Sequence, residues 1–340
     1  MRAIGYQHSR PADDPQALVD ITLPDPEPGP HDLLVRVEAI AVNPVDAKVR
    51  LREQAAPAAW KVLGWDAAGT VAGIGSAVQG FTPGDPVWYA GALNRPGCNS
   101  ELQLVDGRLA ARRPASLSAA EAAAMPLTAI TAWEVLFDRL RLRQDTSAHR
   151  GEVLLVVGAA GGVGSLLVQL ARRLTGVTVV GTASRPDSQA WLRELGVPHV
   201  IDHHQPLAPQ LQALGLPQVH RVVSLTHTDH HFDQLVELLA PQGALALIDD
   251  PDPAAINVLA LKRKSLSLHW ELMFTRSLFE TDDMAEQGQL LARVAQLVDA
   301  GLLRSTLREN LGRINAANLR GAHQRIEGRS GIGKLVLSGW

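Results

Sequence analysis

A single cysteine, Cys98, stands in a chain of 340 residues, so no disulfide can close within it. A surplus of either charge is missing too, since 32 basic side chains face 35 acidic ones for a net charge of −3. A field that weak gathers neither nucleic acid nor an anionic membrane surface, which leaves small molecules as the expected partners. The opening residues Met1-Arg2-Ala3-Ile4-Gly5-Tyr6 lack the apolar core of a secretory signal, and a cytoplasmic protein is expected. Low-complexity tracts and repeats with a period of about 20–50 residues are absent, which excludes solenoid and propeller architectures. For this length one core is too few, and two domains are expected.

What is present centres on residues 153–171. Val153-Leu154-Leu155-Val156-Val157 reads as a buried parallel strand, and Val163, Leu166, Leu167, Leu170, Ala171 and Leu174 form the apolar stripe of a helix. Between them runs Ala159-x-Gly161-x-x-Gly164, a dinucleotide fingerprint with alanine in place of its first glycine. The middle glycine lets a pyrophosphate approach the backbone, the last lets helix pack on strand, and the helix N-terminus offers unpaired N–H groups. Ala159, Gly161, Gly162, Val163 and Gly164 are therefore candidate cofactor contacts. The stretch is uncharged and long enough for a membrane span, which takes about 18 residues. Four glycines, at 158, 161, 162 and 164, would break such a helix, and Val177-Thr178-Val179-Val180 continues as a second strand.

The first 115 or so residues have another texture: short strand signals such as Leu33–Val42, Gly64–Gly75 and Phe81–Trp88 are broken by glycine and proline, as in a partly open barrel. A capping box at Ser118–Glu121 opens an alanine-rich helix that Pro126 should end, and a second helix should run through Thr131, Trp133 and Leu136. After the glycine turn, strands are predicted at Val177–Thr182, His199–Asp202, Arg221–Leu225, Ala244–Ile248 and Ser265–Leu272, enough for a six-stranded doubly wound sheet. The last of these alternates, with Leu266, Leu268, Trp270 and Leu272 on one face against Ser267, His269 and Glu271. A helix over Asp282–Asp299 and another after Asn315 follow. The closing strand Lys334–Leu337 has no place in the dinucleotide sheet and is expected to return to the first domain.

Several polar groups invite other readings. His227-x-x-His230-His231 with Asp229, and His203-His204, could ligate a metal, but they fall where strands end and helices begin, and no closed zinc spacing is present. Lys262-Arg263-Lys264 fits a solvated strand lead-in, and Asp249-Asp250-Pro251-Asp252-Pro253 fits a stiff turn. For the cofactor, a site selective for NAD places an acid at the end of the second strand, roughly 20 residues beyond the motif. Val179-Val180-Gly181-Thr182-Ala183-Ser184-Arg185 carries none there. Ser184 can donate to a 2′-phosphate and Arg185 can pair with it, which predicts NADPH; the competing reading has Ser184 capping the helix opened by Pro186 and Arg185 solvated.

The motifs Val42-Asn43-Pro44-Val45-Asp46, Gly64-Trp65-Asp66-Ala67-Ala68-Gly69, Pro83-Gly84-Asp85-Pro86-Val87, Pro126–Trp133, Gly158–Ser165 and Gly333-Lys334-Leu335-Val336-Leu337 together resemble the medium-chain dehydrogenases/reductases. Within them the likeness is to the quinone-oxidoreductase branch and its zinc-type alcohol dehydrogenase-like subgroup. The resemblance implies an α/β fold in two parts: a GroES-like partly open β-barrel catalytic domain at about residues 1–118 and 274–340, and a Rossmann doubly wound parallel sheet at about 119–273, with hydride transfer in the cleft. It places Asn43 and Thr131 beside nicotinamide and acceptor, has Asp46, Trp65 and Tyr89 line the pocket, and adds Thr226, Ile248 and Asp249 as cofactor contacts. Each has a plainer alternative: Asn43-Pro44 makes a good turn, Asp46 can cap a helix, and Trp65 and Tyr89 can be core. Zinc alcohol dehydrogenases hold catalytic zinc with cysteine, histidine and cysteine, where this chain has Asn43, Trp65 with Asp66, and the neighbourhood of Leu127; no metal is expected. The reaction implied is NADPH-dependent reduction of a quinone or an α,β-unsaturated carbonyl by a homodimer. A zinc-dependent alcohol dehydrogenase and a non-catalytic NADPH-binding protein are the competing readings.

Overall fold

The computed structural model describes residues 1–328 and 331–340. They divide into two compact units, Met1–Ile130 with Phe274–Trp340, and Thr131–Met273.

The first unit begins with β1 (Arg2–Tyr6), β2 (Val19–Thr22) and β3 (Asp32–Val42), then helix α1 (Pro44–Arg52). β4 (Lys61–Val62), β5 (Ala67–Ile74), β6 (Pro86–Tyr89), β7 (Leu102–Asp106) and β8 (Ala110–Arg112) follow. In β3 the side chains of Leu33, Val35 and Val37 are buried while Arg36 is exposed, the period-two pattern of a strand with one face on a core. Helix α2 (Ala119–Ala123) carries the capping box expected of Ser118 and Glu121, with Ser118 N–H donating to the Glu121 carboxylate at 2.9 Å. Pro126, expected to end a helix, instead opens α3 (Pro126–Trp133), where its missing N–H has no helical partner to lose. The chain passes between units inside α3 and not near residue 118, because α2 packs on β3 and β5 of the first unit.

The second unit alternates strand and helix: β9 (Val153–Val157), α4 (Gly162–Leu174), β10 (Thr178–Thr182), α5 (Pro186–Glu194), β11 (His199–Ile201), α6 (Leu207–Ala213), β12 (Val219–Ser224), α7 (Thr228–Leu238), β13 (Leu239–Leu247) and β14 (Ser267–Trp270). Its six strands are all parallel in the order β11-β10-β9-β12-β13-β14. Numbered from β9, that is 3-2-1-4-5-6, the Rossmann arrangement, whose order reverses between β9 and β12 and opens a crevice at their carboxyl ends. One core beside this sheet holds Leu155, Val157, Val180, Val222, Phe232, Leu235 and Leu245. β13 starts earlier than expected, since Leu239 already pairs with Val219 ahead of a register shift. β14 is shorter than expected, and its alternation does not persist: Leu266 and Leu268 pack on the core, but Trp270 and Leu272 are exposed and Glu271 is buried against Arg139 at 2.7 Å.

The chain then adds α8 (Thr275–Leu278), α9 (Glu286–Asp299), β15 (Leu307–Asn310), α10 (Ala316–Glu327) and β16 (Lys334–Ser338) to the first unit. β16 runs antiparallel to β3 with Leu335 opposite Val42, in a seven-stranded sheet with β5, β6, β7, β8 and β15. Among the described residues no helix is long and apolar enough to cross a membrane.

Candidate functional site

In the second unit, β9 runs into Gly158, which turns the chain at φ 77°; a Cβ there would lie 2.8 Å from Thr226 Cγ2. The tight turn that the fingerprint assigns to its first glycine is thus made one residue before Ala159, and the buried alanine costs nothing. Gly161 is the N-cap of α4, so Gly162, Val163 and Gly164 form the helix's first turn, whose N–H groups have no intrahelical acceptor. A Cβ on Gly164 would stand 2.5 Å from the carbonyl oxygen of Ala159, so only glycine lets the helix begin this close to the turn. Gly158 N–H donates to Thr182 Oγ1 at 3.1 Å, and Thr182 in turn meets His203 Nδ1 at 3.0 Å.

Around this turn the other expected cofactor residues fall at strand ends. Ser184 is half-buried and Arg185 exposed just past β10; Arg185, not Ser184, is the N-cap of α5, and its N–H donates to Ser188 Oγ at 3.2 Å. Thr226 Oγ1 lies 2.8 Å from Nδ1 of His227, which adopts the left-handed region at φ 51° to start α7. Ile248 and Asp249 follow β13, and the Asp249 carboxylate accepts from Thr228 N–H (3.0 Å) and Oγ1 (2.6 Å), anchoring the start of α7. Burial first, then neighbouring imidazoles, lower the pKa values of His203 and His231. Among the described residues no group of three or more His, Cys, Asp or Glu side chains could hold a metal ion. Of the basic run, Lys264 donates to the carbonyls of Val236, Glu237 and Leu239 and so closes the C-terminal end of α7.

In the first unit two of the expected catalytic residues, Asn43 and Asp46, belong to a buried polar cluster. Asn43 caps α1, and its N–H donates to Asp46 Oδ2 at 2.6 Å. Its side-chain Nδ2 donates to Asp66 Oδ2 at 3.0 Å, while Asp66 Oδ1 accepts from the Leu127 N–H at 3.0 Å. The cluster is completed by Lys334, whose Nζ donates to Asp66 Oδ2 at 2.8 Å, to the Val42 carbonyl at 3.1 Å and to Asn43 Oδ1. All of these side chains are almost fully buried. Burial raises the Asp66 pKa while the Lys334 charge opposes the rise; Asp46, whose Oδ1 has no partner among the described residues, is pushed up to about 7, again chiefly by burial.

Trp65 sits with its Nε1 donating to the Ala92 carbonyl at 3.1 Å and its ring edge-on to Phe274. Tyr89 lies in β6 with its hydroxyl buried and without a partner among the described residues, and burial raises its pKa. Thr131 is buried on α3 one helical turn after Leu127. Cys98 is buried with Sγ donating to the Asp66 carbonyl at 3.6 Å, and burial pushes its thiol up.

The sequence reading missed Lys334 as a site residue. Its signal was a lysine opening an otherwise apolar strand, where a charge is tolerated only when paired.

Comparisons with known proteins agree with this fold. The alcohol dehydrogenase GroES-like domain family matches residues 29–123, and the zinc-binding dehydrogenase family matches residues 162–290. A zinc-type alcohol dehydrogenase-like protein of Staphylococcus aureus is 36% identical over 342 residues, covering 99% of this chain and 100% of its own. A solved structure of a putative zinc-dependent alcohol dehydrogenase protein from Rhizobium etli superposes with TM-score 0.94 at 50% identity over 100% of this chain and 98% of the other. A quinone oxidoreductase of Pseudomonas syringae superposes with TM-score 0.81 at 25% identity over 99% of both chains. The chain belongs to the medium-chain dehydrogenase/reductase superfamily, in its quinone-oxidoreductase-like branch. It is an oxidoreductase of that family, which implies a nicotinamide cofactor.

The residues present do not fit the zinc in the matching family's description. Zinc sites are built on thiolate or imidazole, with carboxylate as an additional ligand. Here the converging atoms are a backbone carbonyl, an amide oxygen and a carboxylate, and an ammonium already holds all three. Nicotinamide dinucleotide does fit: at Gly161, the N-cap of α4, a Cβ would meet only the Gly158 carbonyl, at 3.5 Å, so the backbone at this helix N-terminus is open to a pyrophosphate.

Proposed function

We propose that the protein reduces a quinone, or the carbon–carbon double bond of an α,β-unsaturated carbonyl, using NADPH and no metal. The observation that carries this reading is the ammonium of Lys334 on Asn43 Oδ1 and Asp66 Oδ2, with Asn43 where the zinc enzymes keep a cysteine ligand and Asp66 next to Trp65, where they keep the histidine. An ammonium has no open coordination position with which to polarise an alcohol or a simple aldehyde. A conjugated acceptor needs less help, because the electron pair arriving with hydride is delocalised onto the carbonyl oxygen, and a proton then completes the reduction, at oxygen for a quinone or at the α-carbon for an enone.

Bound NADPH supplies the hydride. Gly161, Gly162 and Val163 present backbone N–H groups to the pyrophosphate at the N-terminus of α4, with Ala159 and Gly164 shaping the turn. Ser184 and Arg185 bind the 2′-phosphate, in the absence of any acid over Val179–Arg185. Thr226, Ile248 and Asp249 stand at strand ends toward the nicotinamide. By the family resemblance we assign Asn43 and Thr131 to contacts with nicotinamide and acceptor, and Asp46, Trp65 and Tyr89 to the surroundings of the acceptor. With the Tyr89 hydroxyl buried and its pKa raised, water is the better proton source for the reduced acceptor.

NADPH oxidation followed against a panel of quinones, enones and simple aldehydes tests the reading, with Asn43→Ala and Tyr89→Phe alongside. Turnover of quinones or enones by protein that elemental analysis finds free of zinc is the expected result. Turnover of aldehydes alone, or activity that follows stoichiometric zinc, rejects it; tight NADPH binding with no turnover of any acceptor assigns the chain a non-catalytic role.

A further inference from the structure

Lys334 opens β16 with only 4% of its surface exposed. An ammonium has three N–H donors, and all three are used: on the Val42 carbonyl, Asn43 Oδ1 and Asp66 Oδ2. The three acceptors come from one end of β3, the residue capping α1 and the residue leading into β5. Asp66 in turn accepts from the Leu127 N–H at the start of α3. One cation thus fixes the Asn43 amide, balances the buried Asp66 charge and holds the carboxylate that anchors α3. Every ligand is a hard oxygen, and the charges of Lys334 and Asp66 cancel as one to one.

We propose that Lys334 is a positioning residue, a resident cation that holds Asn43 and Asp66. The three oxygens around Nζ form a binding site for a small primary ammonium ion once the side chain is cut back. The inference does not depend on which acceptor is reduced.

Lysine-to-alanine exchange with amine rescue tests it, read first by thermal melting so that the outcome is separate from activity. K334A should melt well below the wild type, and ethylammonium chloride should raise its melting temperature saturably. Tetramethylammonium at equal ionic strength carries the charge without N–H donors and should not. K334M, which fills the space of the lysine with a neutral side chain, should ignore ethylammonium. In K334A the lost acceptor-reduction rate should return with the same ethylammonium dependence as the melting temperature. Indifference of K334A to ethylammonium overturns the proposal, as does an equal response to tetramethylammonium or stronger stabilisation by zinc. Should K334A be recovered only from denaturant, refolding yield replaces melting temperature, and a yield independent of ethylammonium also overturns it.

Discussion

Arg50 donates its Nε–H to Nδ1 of His323 at 3.3 Å, joining α1 to α10. Both side chains are wholly buried. The guanidinium also reaches the Arg10 carbonyl and the Glu327 carboxylate, so its own charge has a partner and the imidazole serves only as an acceptor. Burial first, and the Arg50 charge second, hold the His323 pKa down to about 3, from 6.5. Between those values the unfolded chain takes a proton that the folded chain refuses. The contribution is therefore complete above pH 6.5 and is lost as pH falls toward 3, by up to about 1.4 kcal/mol per pH unit. Asp46 acts with the opposite sign: raised to about 7, it makes the folded chain the better proton acceptor from about pH 4 to 7, so its effect favours the lower pH. Unfolding in urea at pH 7 and at pH 4.5 should show a wild type that loses stability more steeply than His323→Gln. Parallel losses would remove His323 as the cause.

Three of the four glycines of the turn should fail differently. Gly158→Ala forces alanine to φ 77° beside Thr226, and Gly164→Ala drives a Cβ against the Ala159 carbonyl. Each should lower stability, the first by roughly 1–3 kcal/mol of backbone strain. At Gly161 the backbone is ordinary (φ −69°) and a Cβ would meet only the Gly158 carbonyl, at a comfortable 3.5 Å. Gly161→Ala should melt like the wild type and yet bind NADPH poorly, since the methyl group would occupy the pyrophosphate's approach. Melting curves with cofactor titrations decide this, and unchanged NADPH affinity in Gly161→Ala would place the pyrophosphate elsewhere.

Arg185 is exposed at the N-cap of α5, and the proposed function assigns its guanidinium to the 2′-phosphate of NADPH. A charged hydrogen bond of this kind is worth about 1.5–3 kcal/mol. Arg185→Ala should therefore weaken NADPH by roughly tenfold or more and leave NADH nearly unchanged. Equal losses for the two cofactors, measured by fluorescence titration, would refute a 2′-phosphate contact.

How legible the chain was depended on distance along it. The strand, turn and helix of residues 153–171 lie within one short stretch, so hydrophobic period and glycine spacing announced them, and the count of six parallel strands followed. Lys334 and Asp66 are 268 residues apart, and nothing near either one names the other. The role of Asp249 was hidden similarly: its neighbours read only as a stiff turn, and nothing near it names Thr228, 21 residues earlier, which takes both carboxylate oxygens. The alternation through Leu272 misled because Arg139, from a different element, pulls Glu271 inward and turns Trp270 and Leu272 outward.

That reversal bears on assembly. β14 ends the parallel sheet, with β13 as its only strand neighbour among the described residues, so its outer edge presents unpaired backbone groups. Trp270 and Leu272 are 52% and 51% exposed at the end of this edge. A second copy related by a two-fold axis would pair edge to edge and cover both indoles and both leucines, which is how an isologous contact closes on itself. We expect a homodimer, and we expect the double substitution Trp270→Lys with Leu272→Lys to give monomers, since it sets like charges against each other across the axis while leaving Leu266 and Leu268 in the core. Sedimentation over a wide concentration range reads both states. A wild type that stays monomeric at every concentration, or a double variant that dimerises as tightly as the parent, would rule this edge out as the interface.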